Sequence, residues 1–269
     1  MRVLERHGTM TATDKKISDY IFRIPRAAAR VLMLDYDGTL APFCINSAPA
    51  RPYTHVPELL RCLRQDTDTR VIIISGRQAS SAAQLLGVPA IEIWGCHGLE
   101  RMYADGTLET VGLTSGALEK IAAVSEQLKS EGLEEFAESK PGSIAIHWRG
   151  REVLAGHLTH KVMHVWARLG DRKGLRVFSF DGGIEITIDA RNKGDAVRTV
   201  LSETGADTAV AYLGDDATDE DAFTALRGRG LNVLVREEYR KTIADVWIRP
   251  PDEVESFLIA WRSACRSAC

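Results

Sequence analysis

Four apolar residues in succession, Val31-Leu32-Met33-Leu34, run straight into Asp35-Tyr36-Asp37-Gly38-Thr39-Leu40. A run without polar alternation suits a strand covered on both faces, and the Asp-Gly that follows forces a turn just outside the sheet. Two carboxylates and a hydroxyl therefore arrive at the carboxyl end of a buried strand, where open α/β sheets bind their ligands. Asp35 is held rigidly there, and Asp37 follows two residues later at the same opening. A carboxylate nucleophile can take a phosphoryl group covalently, while a second acid protonates the leaving oxygen and later activates water. Asp-x-Asp alone is also an ordinary turn sequence, so its meaning depends on its company.

Three further segments follow apolar strands in the same way. Val71-Ile72-Ile73-Ile74 leads into Ser75-Gly76-Arg77, where a hydroxyl and backbone N–H groups can meet phosphate oxygens. Asn192-Lys193-Gly194 opens a helical stretch, and its lysine can neutralise both a phosphate and an attacking carboxylate. Val210-Ala211-Tyr212-Leu213 leads into Gly214-Asp215-Asp216-Ala217-Thr218-Asp219-Glu220-Asp221. Mg²⁺ takes hard oxygen ligands and usually keeps several waters, so one or two carboxylates beside a substrate phosphate suffice, and Asp215 is best placed. The competing reading is an acidic helix N-terminus with Thr218 as its cap.

The remaining pattern predicts two lobes. Strands near 30–34, 70–74 and 90–94 alternate with helices near 55–66 and 78–86, and the rhythm returns after 193 with strands near 209–213, 231–235 and 245–248. That is an α/β fold with a doubly wound, Rossmann-like parallel-sheet core. Between the halves, Leu99 to Met102, Leu108 to Val111, Ser143 to Trp148, Arg176 to Phe180 and Ile184 to Ile188 read as strands, with helices near 114–131 and 151–168. The expected division is core residues 1–98, of which 1–25 form an N-terminal extension with a short helix from Asp14 to Phe22. An inserted α+β cap domain over 99–189 and a second core part over 190–269 complete it. Within the second inserted helix, Leu154, Leu158, Val162, Val165 and Leu169 mark the packed face. His157, His160 and His164 share another face, but no acid or cysteine completes a metal set. A last helix is expected from Asp252 to Trp261, with Ser263 to Cys269 as a fraying tail.

At 269 residues, with 45% hydrophobic content and a formal net charge of −3, the chain can bury a sizeable core and offers no nucleic-acid surface. An anionic substrate must then be met locally, by a metal, Lys193 and Arg77. No apolar run approaches a membrane span and no signal pattern opens the chain, so a soluble cytoplasmic protein is expected. The five cysteines, Cys44, Cys62, Cys96, Cys265 and Cys269, show no zinc-like spacing and read as reduced thiols.

Taken in order, these segments resemble the haloacid-dehalogenase superfamily of aspartate-nucleophile phosphatases, and within it the trehalose-6-phosphate phosphatases. Gly95-Cys96-His97-Gly98 and Glu138-Ser139-Lys140 add to the likeness, which runs from about residue 28 to residue 260. The resemblance implies Asp35 as the nucleophile that becomes aspartyl-phosphate, Asp37 as acid then base, and Thr39, Ser75 and Lys193 as the phosphate cradle. It implies Mg²⁺ held by Asp35, the backbone carbonyl of Asp37 and Asp215, with Asp216 and Asp219 behind them. Arg77, His97, Gly98, Glu138, Lys140 and Glu185 would contact the substrate. A small-molecule sugar phosphate is the implied partner, with a functional link to the synthase that makes it. One departure touches the sugar: the family's Arg-Pro pair before the Lys-Gly is replaced by Asp189-Ala190. Other glycosyl phosphates, such as glucosyl- or mannosylglycerate phosphate or a monosaccharide phosphate, therefore stay open, as does a non-catalytic phosphosugar-binding regulatory protein.

Overall fold

The computed structural model describes residues 11–42, 50–110 and 113–267. In chain order its elements are α1 (Ala12–Ile21), β1 (Ala29–Leu34), α2 (Val56–Asp66), β2 (Thr69–Ile74), α3 (Ala79–Leu86), β3 (Glu92–Gly95), β4 (Glu100–Met102) and β5 (Leu108–Thr110). Then come α4 (Ser115–Ser130), β6 (Ala137–Lys140), β7 (Ser143–His147), α5 (Ala155–Arg168), β8 (Leu175–Phe180) and β9 (Gly183–Ile188). The chain ends with α6 (Lys193–Ser202), β10 (Thr208–Gly214), α7 (Asp219–Leu226), β11 (Leu231–Val235), β12 (Val246–Ile248) and α8 (Asp252–Arg266).

The larger sheet runs β12-β11-β10-β1-β2-β3-β4-β5, parallel from β12 to β3 and antiparallel at β4 and β5. Successive side chains of a strand point to opposite faces, and both faces here are covered. Leu32, Leu34, Val71, Ile73, Ala211 and Leu213 pack under α2, α3 and α8 through Leu60, Leu63, Leu86, Val254 and Trp261. Val31, Met33, Ile72, Ile74 and Val210 pack under α6 and α7 through Val197, Val200, Phe223 and Leu226. The unbroken apolar runs are thus two interleaved faces of one buried sheet.

The smaller sheet is antiparallel, in the order β6-β7-β9-β8. Its apolar face, Ile144, Ile146, Ile184, Ile186 and Ile188, packs on α4 and α5 through Val124, Leu128, Leu158, Val162 and Val165. Residues paired directly across antiparallel strands share a face. Glu138, Ala145, Glu185 and Phe178 therefore lie in one row, and Lys140, Ser143, Thr187 and Arg176 in the next, all on the face opposite the helices.

Several expectations need correction. The sequence places β4 and β5 in the insertion, but β4 pairs with β3 and β5 with β4, so both extend the core sheet; Val111 lies outside the described residues. Short strands read alike in sequence whichever sheet they join. The edge strand β6 went unseen because Ala137-Glu138-Ser139-Lys140 has almost no apolar content. The last helix continues through Arg266 instead of fraying after Trp261, since Cys265 is buried and its sulfur lies 3.5 Å from Thr69 Oγ1. Cys62, Cys96 and Cys265 are free thiols, while Cys44 and Cys269 lie outside the described residues. Among the described residues, no helix is long and apolar enough to cross a membrane.

Candidate active site

The tips of β1 and β10 are neighbours because their strands pair in parallel, Leu34 beside Leu213. Asp35 and Asp215 follow one and two residues later, and both are buried. Lys193, the first residue of α6, enters from the next helix, with its backbone turn fixed by a capping box between Asn192 and Asp195. Its Nζ donates to Asp35 Oδ1 at 2.7 Å and to Asp219 Oδ1 at 2.8 Å. Burial works against the lysine's charge, yet Asp219 and Asp35 hold it above its ordinary value.

Asp219 organises the acidic loop. Its Oδ2 accepts the N–H groups of Asp215 and Asp216 at 3.0 and 2.9 Å, and its Oδ1 also accepts the Tyr212 hydroxyl at 2.6 Å. This wrap needs a glycine before it, because a Cβ on Gly214 would lie 2.4 Å from the Asp219 carboxyl carbon.

Asp35, Asp215 and Asp219 each place a carboxylate oxygen within 4.8 Å of the others, and this group can hold a metal ion. Three carboxylates against one ammonium leave excess negative charge in a desolvated space. Burial pushes Asp35 up to about 7 although Lys193 draws it down, and burial together with Asp35 and Asp219 pushes Asp215 well above the carboxylate range. Asp215 Oδ2 is buried with no hydrogen-bond partner among the described residues. An all-oxygen donor set with one unsatisfied oxygen and surplus charge fits a hard divalent cation.

Around this centre, Thr39 Oγ1 is buried and likewise lacks a hydrogen-bond partner among the described residues, while Ser75 Oγ accepts the Arg77 N–H at 3.1 Å. The Arg77 side chain is turned to the first acidic turn. Its Nε and Nη2 donate to Asp37 Oδ2 and Oδ1, both at 2.6 Å. The Ser75-Gly76-Arg77 loop is tied to the next signal, with Cys96 N–H donating to the Arg77 carbonyl and His97 N–H to the Ser75 carbonyl. Cys96, His97 and Gly98 all take left-handed backbone, and the His97 ring lies so close to Gly76 that a Cβ there would be 2.7 Å away. Such a conformation is costly for residues other than glycine and recurs at functional sites. Gly98 itself is packed against the Asn192 carbonyl.

From the smaller sheet, Glu185 and Lys140 face this loop. Lys140 Nζ lies 3.4 Å from Glu185 and 3.7 Å from Glu138, and His97 Nε2 lies 3.9 Å from Glu185. Burial works against the Glu185 charge, but Lys140, with His97 and Ser143, holds its carboxyl well below the usual range. Burial keeps His97 below its ordinary value, and its ring meets Phe178 edge-on. Glu138 is half-exposed and pairs with His147 at 2.8 Å. Asp216 stays outside the central cluster, its Oδ2 accepting the Asp181 N–H of the β8–β9 turn at 3.4 Å.

The match to known proteins agrees with this arrangement: the family model for trehalose-phosphatase covers residues 33–245. The chain belongs to the trehalose-phosphatase family. It is 30% identical over 247 residues to a trehalose-phosphate phosphatase of Mycobacterium ulcerans, covering 87% of this chain and 61% of the relative. An uncharacterised glycosyl hydrolase of Mycobacterium tuberculosis is 31% identical over 241 residues, covering 84% of this chain and 18% of that protein. The chain therefore spans under two thirds of these relatives' length. The C-terminal domain of Candida albicans trehalose-6-phosphate phosphatase superposes with a TM-score of 0.78 at 21% identity, covering 92% of this chain and 96% of that one, which shows a shared fold.

In this member of the trehalose-phosphatase family, some residues at the site carried no sequence signal. Tyr212 sits inside an apolar run and reads as core, yet its hydroxyl reaches Asp219. Phe178 is one aromatic in a short strand, and only the register of β8 against β9 sets it opposite Glu185. The Asp189 departure lies beyond the end of β9, with its side chain 61% exposed and 3.9 Å from Arg176. It is outside the rows that carry Glu185 and Lys140.

Proposed function

We propose that this chain hydrolyses trehalose 6-phosphate to trehalose and phosphate, with Mg²⁺, through an aspartyl-phosphate on Asp35. The observation that carries the reading is the buried Asp35 carboxylate at the tip of β1, sharing Lys193 with Asp219 in a space that Asp215 also enters. In the first half-reaction an Asp35 oxygen bonds to phosphorus, the bond from phosphorus to the sugar oxygen breaks, and Asp37 gives that oxygen its proton. In the second, Asp37 takes a proton from water, whose oxygen bonds to phosphorus as the bond to Asp35 breaks. Thr39, Ser75 and Lys193 bind the phosphate oxygens; the unpartnered Thr39 hydroxyl supports that role.

Asp35, the Asp37 carbonyl and Asp215 would hold Mg²⁺, with Asp216 and Asp219 behind them; once bound, the ion would offset charge on the phosphate and the attacking carboxylate. The smaller sheet acts as a cap. Its polar face and His97 close over the sugar, where Glu138, Lys140, Glu185 and the Gly98 backbone meet hydroxyl groups, and exclude bulk water during transfer. Because Asp189 lies beyond the end of β9, outside the rows that carry Glu185 and Lys140, its presence does not argue against a disaccharide.

Phosphate release from a panel of sugar phosphates, with Mg²⁺ and with EDTA, tests this. Trehalose 6-phosphate should be preferred, EDTA should stop turnover, and Asp35→Asn should abolish it. Substantial turnover by Asp35→Asn refutes the covalent route, and equal rates on glucose 6-phosphate refute the disaccharide assignment.

A further inference from the structure

The acidic loop is gripped on both edges of its backbone. Asp219 takes the N–H groups of residues 215 and 216, and their carbonyls go to a residue from a distant loop. Arg240, between β11 and β12, donates from Nε to the Asp215 carbonyl at 2.9 Å and from Nη2 to the Asp216 carbonyl at 2.7 Å. Its Nη1 pairs with Glu220, whose other oxygen accepts the Ile243 N–H at 3.1 Å. One planar fork thus fastens two successive peptide units and the first turn of α7. The loop that brings it is anchored in turn. Arg236 N–H donates to the Ile248 carbonyl, and Trp247 Nε1 donates to the Arg236 carbonyl.

Nothing of Arg240 touches the Asp35, Asp215 or Asp219 carboxylates in these contacts; it acts only on the backbone that carries Asp215. The Asp215 Oδ2 has no hydrogen-bond partner among the described residues, and its closest cation is Arg236 at 3.8 Å. The carboxylate's position is therefore inherited from its peptide units. Outer contacts of this kind orient ligands before a metal arrives. A lysine cannot replace the fork, since one ammonium does not present two parallel donors to successive carbonyls and a third to a carboxylate.

Building on the Mg²⁺ reading above, we infer that Arg240 is a positioning residue that presets Asp215 for the divalent cation. Titration calorimetry of metal-free protein with Mg²⁺ alone tests it. Arg240→Ala should bind Mg²⁺ about 10- to 100-fold more weakly. It should regain most of its kcat at saturating Mg²⁺, with an unchanged KM for the sugar phosphate. Arg240→Lys should recover only part of the affinity. Mg²⁺ affinity of Arg240→Ala within about twofold of wild type overturns the inference, as does a kcat loss that excess Mg²⁺ leaves in place. Should Arg240→Ala fail to fold, Arg240→Lys decides, and wild-type affinity in that variant overturns the role of the fork. A wild-type chain that takes up no Mg²⁺ defeats the metal reading itself, and this inference with it, which is a different result from equal binding by both proteins.

Discussion

Arg77 grips Asp37 with two parallel hydrogen bonds of 2.6 Å, joining the first acidic turn to the loop after β2 across 40 residues of sequence. The side chain proposed to shuttle protons is therefore aimed by a partner, and the partner lies over Tyr36 with its guanidinium 5.7 Å from the ring centre.

Removing that partner should damage chemistry more than binding. Arg77→Ala frees Asp37 to leave the reacting oxygen, and a misplacement of about 1 Å can cost ~10²-fold in rate. Arg77→Lys should stay impaired, because a point charge does not reproduce a planar fork. Steady-state kinetics on trehalose 6-phosphate read this as a fall in kcat with a smaller change in KM; full recovery by the lysine variant would show that only charge matters.

Lys193 should matter for stability as well as for the proposed chemistry. It is the cation that pairs with Asp35 and Asp219, and all three groups are buried. Taking away one partner of a buried pair leaves uncompensated charge, at a cost of about 3–5 kcal/mol. Urea unfolding of Lys193→Ala in EDTA should show a loss of that order, with Mg²⁺ recovering part of it. A variant as stable as wild type in EDTA would mean the carboxylates are already protonated there.

The cap residues should separate sugar recognition from phosphoryl transfer. Lys140 Nζ lies among Glu185 and Glu138 on the polar face of the smaller sheet. If it donates to a sugar hydroxyl, Lys140→Ala removes a charged hydrogen bond and should lower kcat/KM for trehalose 6-phosphate about 10- to 100-fold. A small aryl phosphate, which cannot reach the cap, should be hydrolysed at nearly the wild-type rate. Equal losses on both substrates would place Lys140 in the chemistry.

The parts that sequence made readable are those whose signal is local. Asp35, Ser75 and Asp215 each follow a strand whose apolar run is visible, and Lys193 opens a helix with a capping pattern, so the parallel sheet and its acidic tips could be read directly. What stayed hidden depends on pairing at a distance. The direction of the Arg77 side chain, the hydroxyl of Tyr212 and the fork of Arg240 are set by packing, not by neighbours in the chain. The sheet that β4 and β5 join is hidden for the same reason: a three-residue strand states its conformation but not its partner.

The buried carboxylates also set how stability and metal binding respond to pH. Asp35 is pushed up to about 7 by burial, against about 3.9 in an unfolded chain, and Asp215 is raised as well. Between those values the native state binds more protons than the unfolded state, so the slope of unfolding free energy against pH is negative. The contribution of these two carboxyls to the stability of metal-free protein should therefore fall as pH rises from about 4 to about 7, while His97, held below its ordinary value by burial, works the other way toward the upper part of that window. Glu185 works oppositely, since its depressed value stabilises the fold above about pH 4.3 and that contribution is lost on acidification. A divalent cation bound here would replace the protons on Asp35 and Asp215, so its stabilising increment should grow over the window in which these carboxyls lose theirs. Melting temperatures from pH 5 to 8, with Mg²⁺ and with EDTA, should diverge as pH rises. Parallel curves would show that the cation does not displace protons from these two side chains.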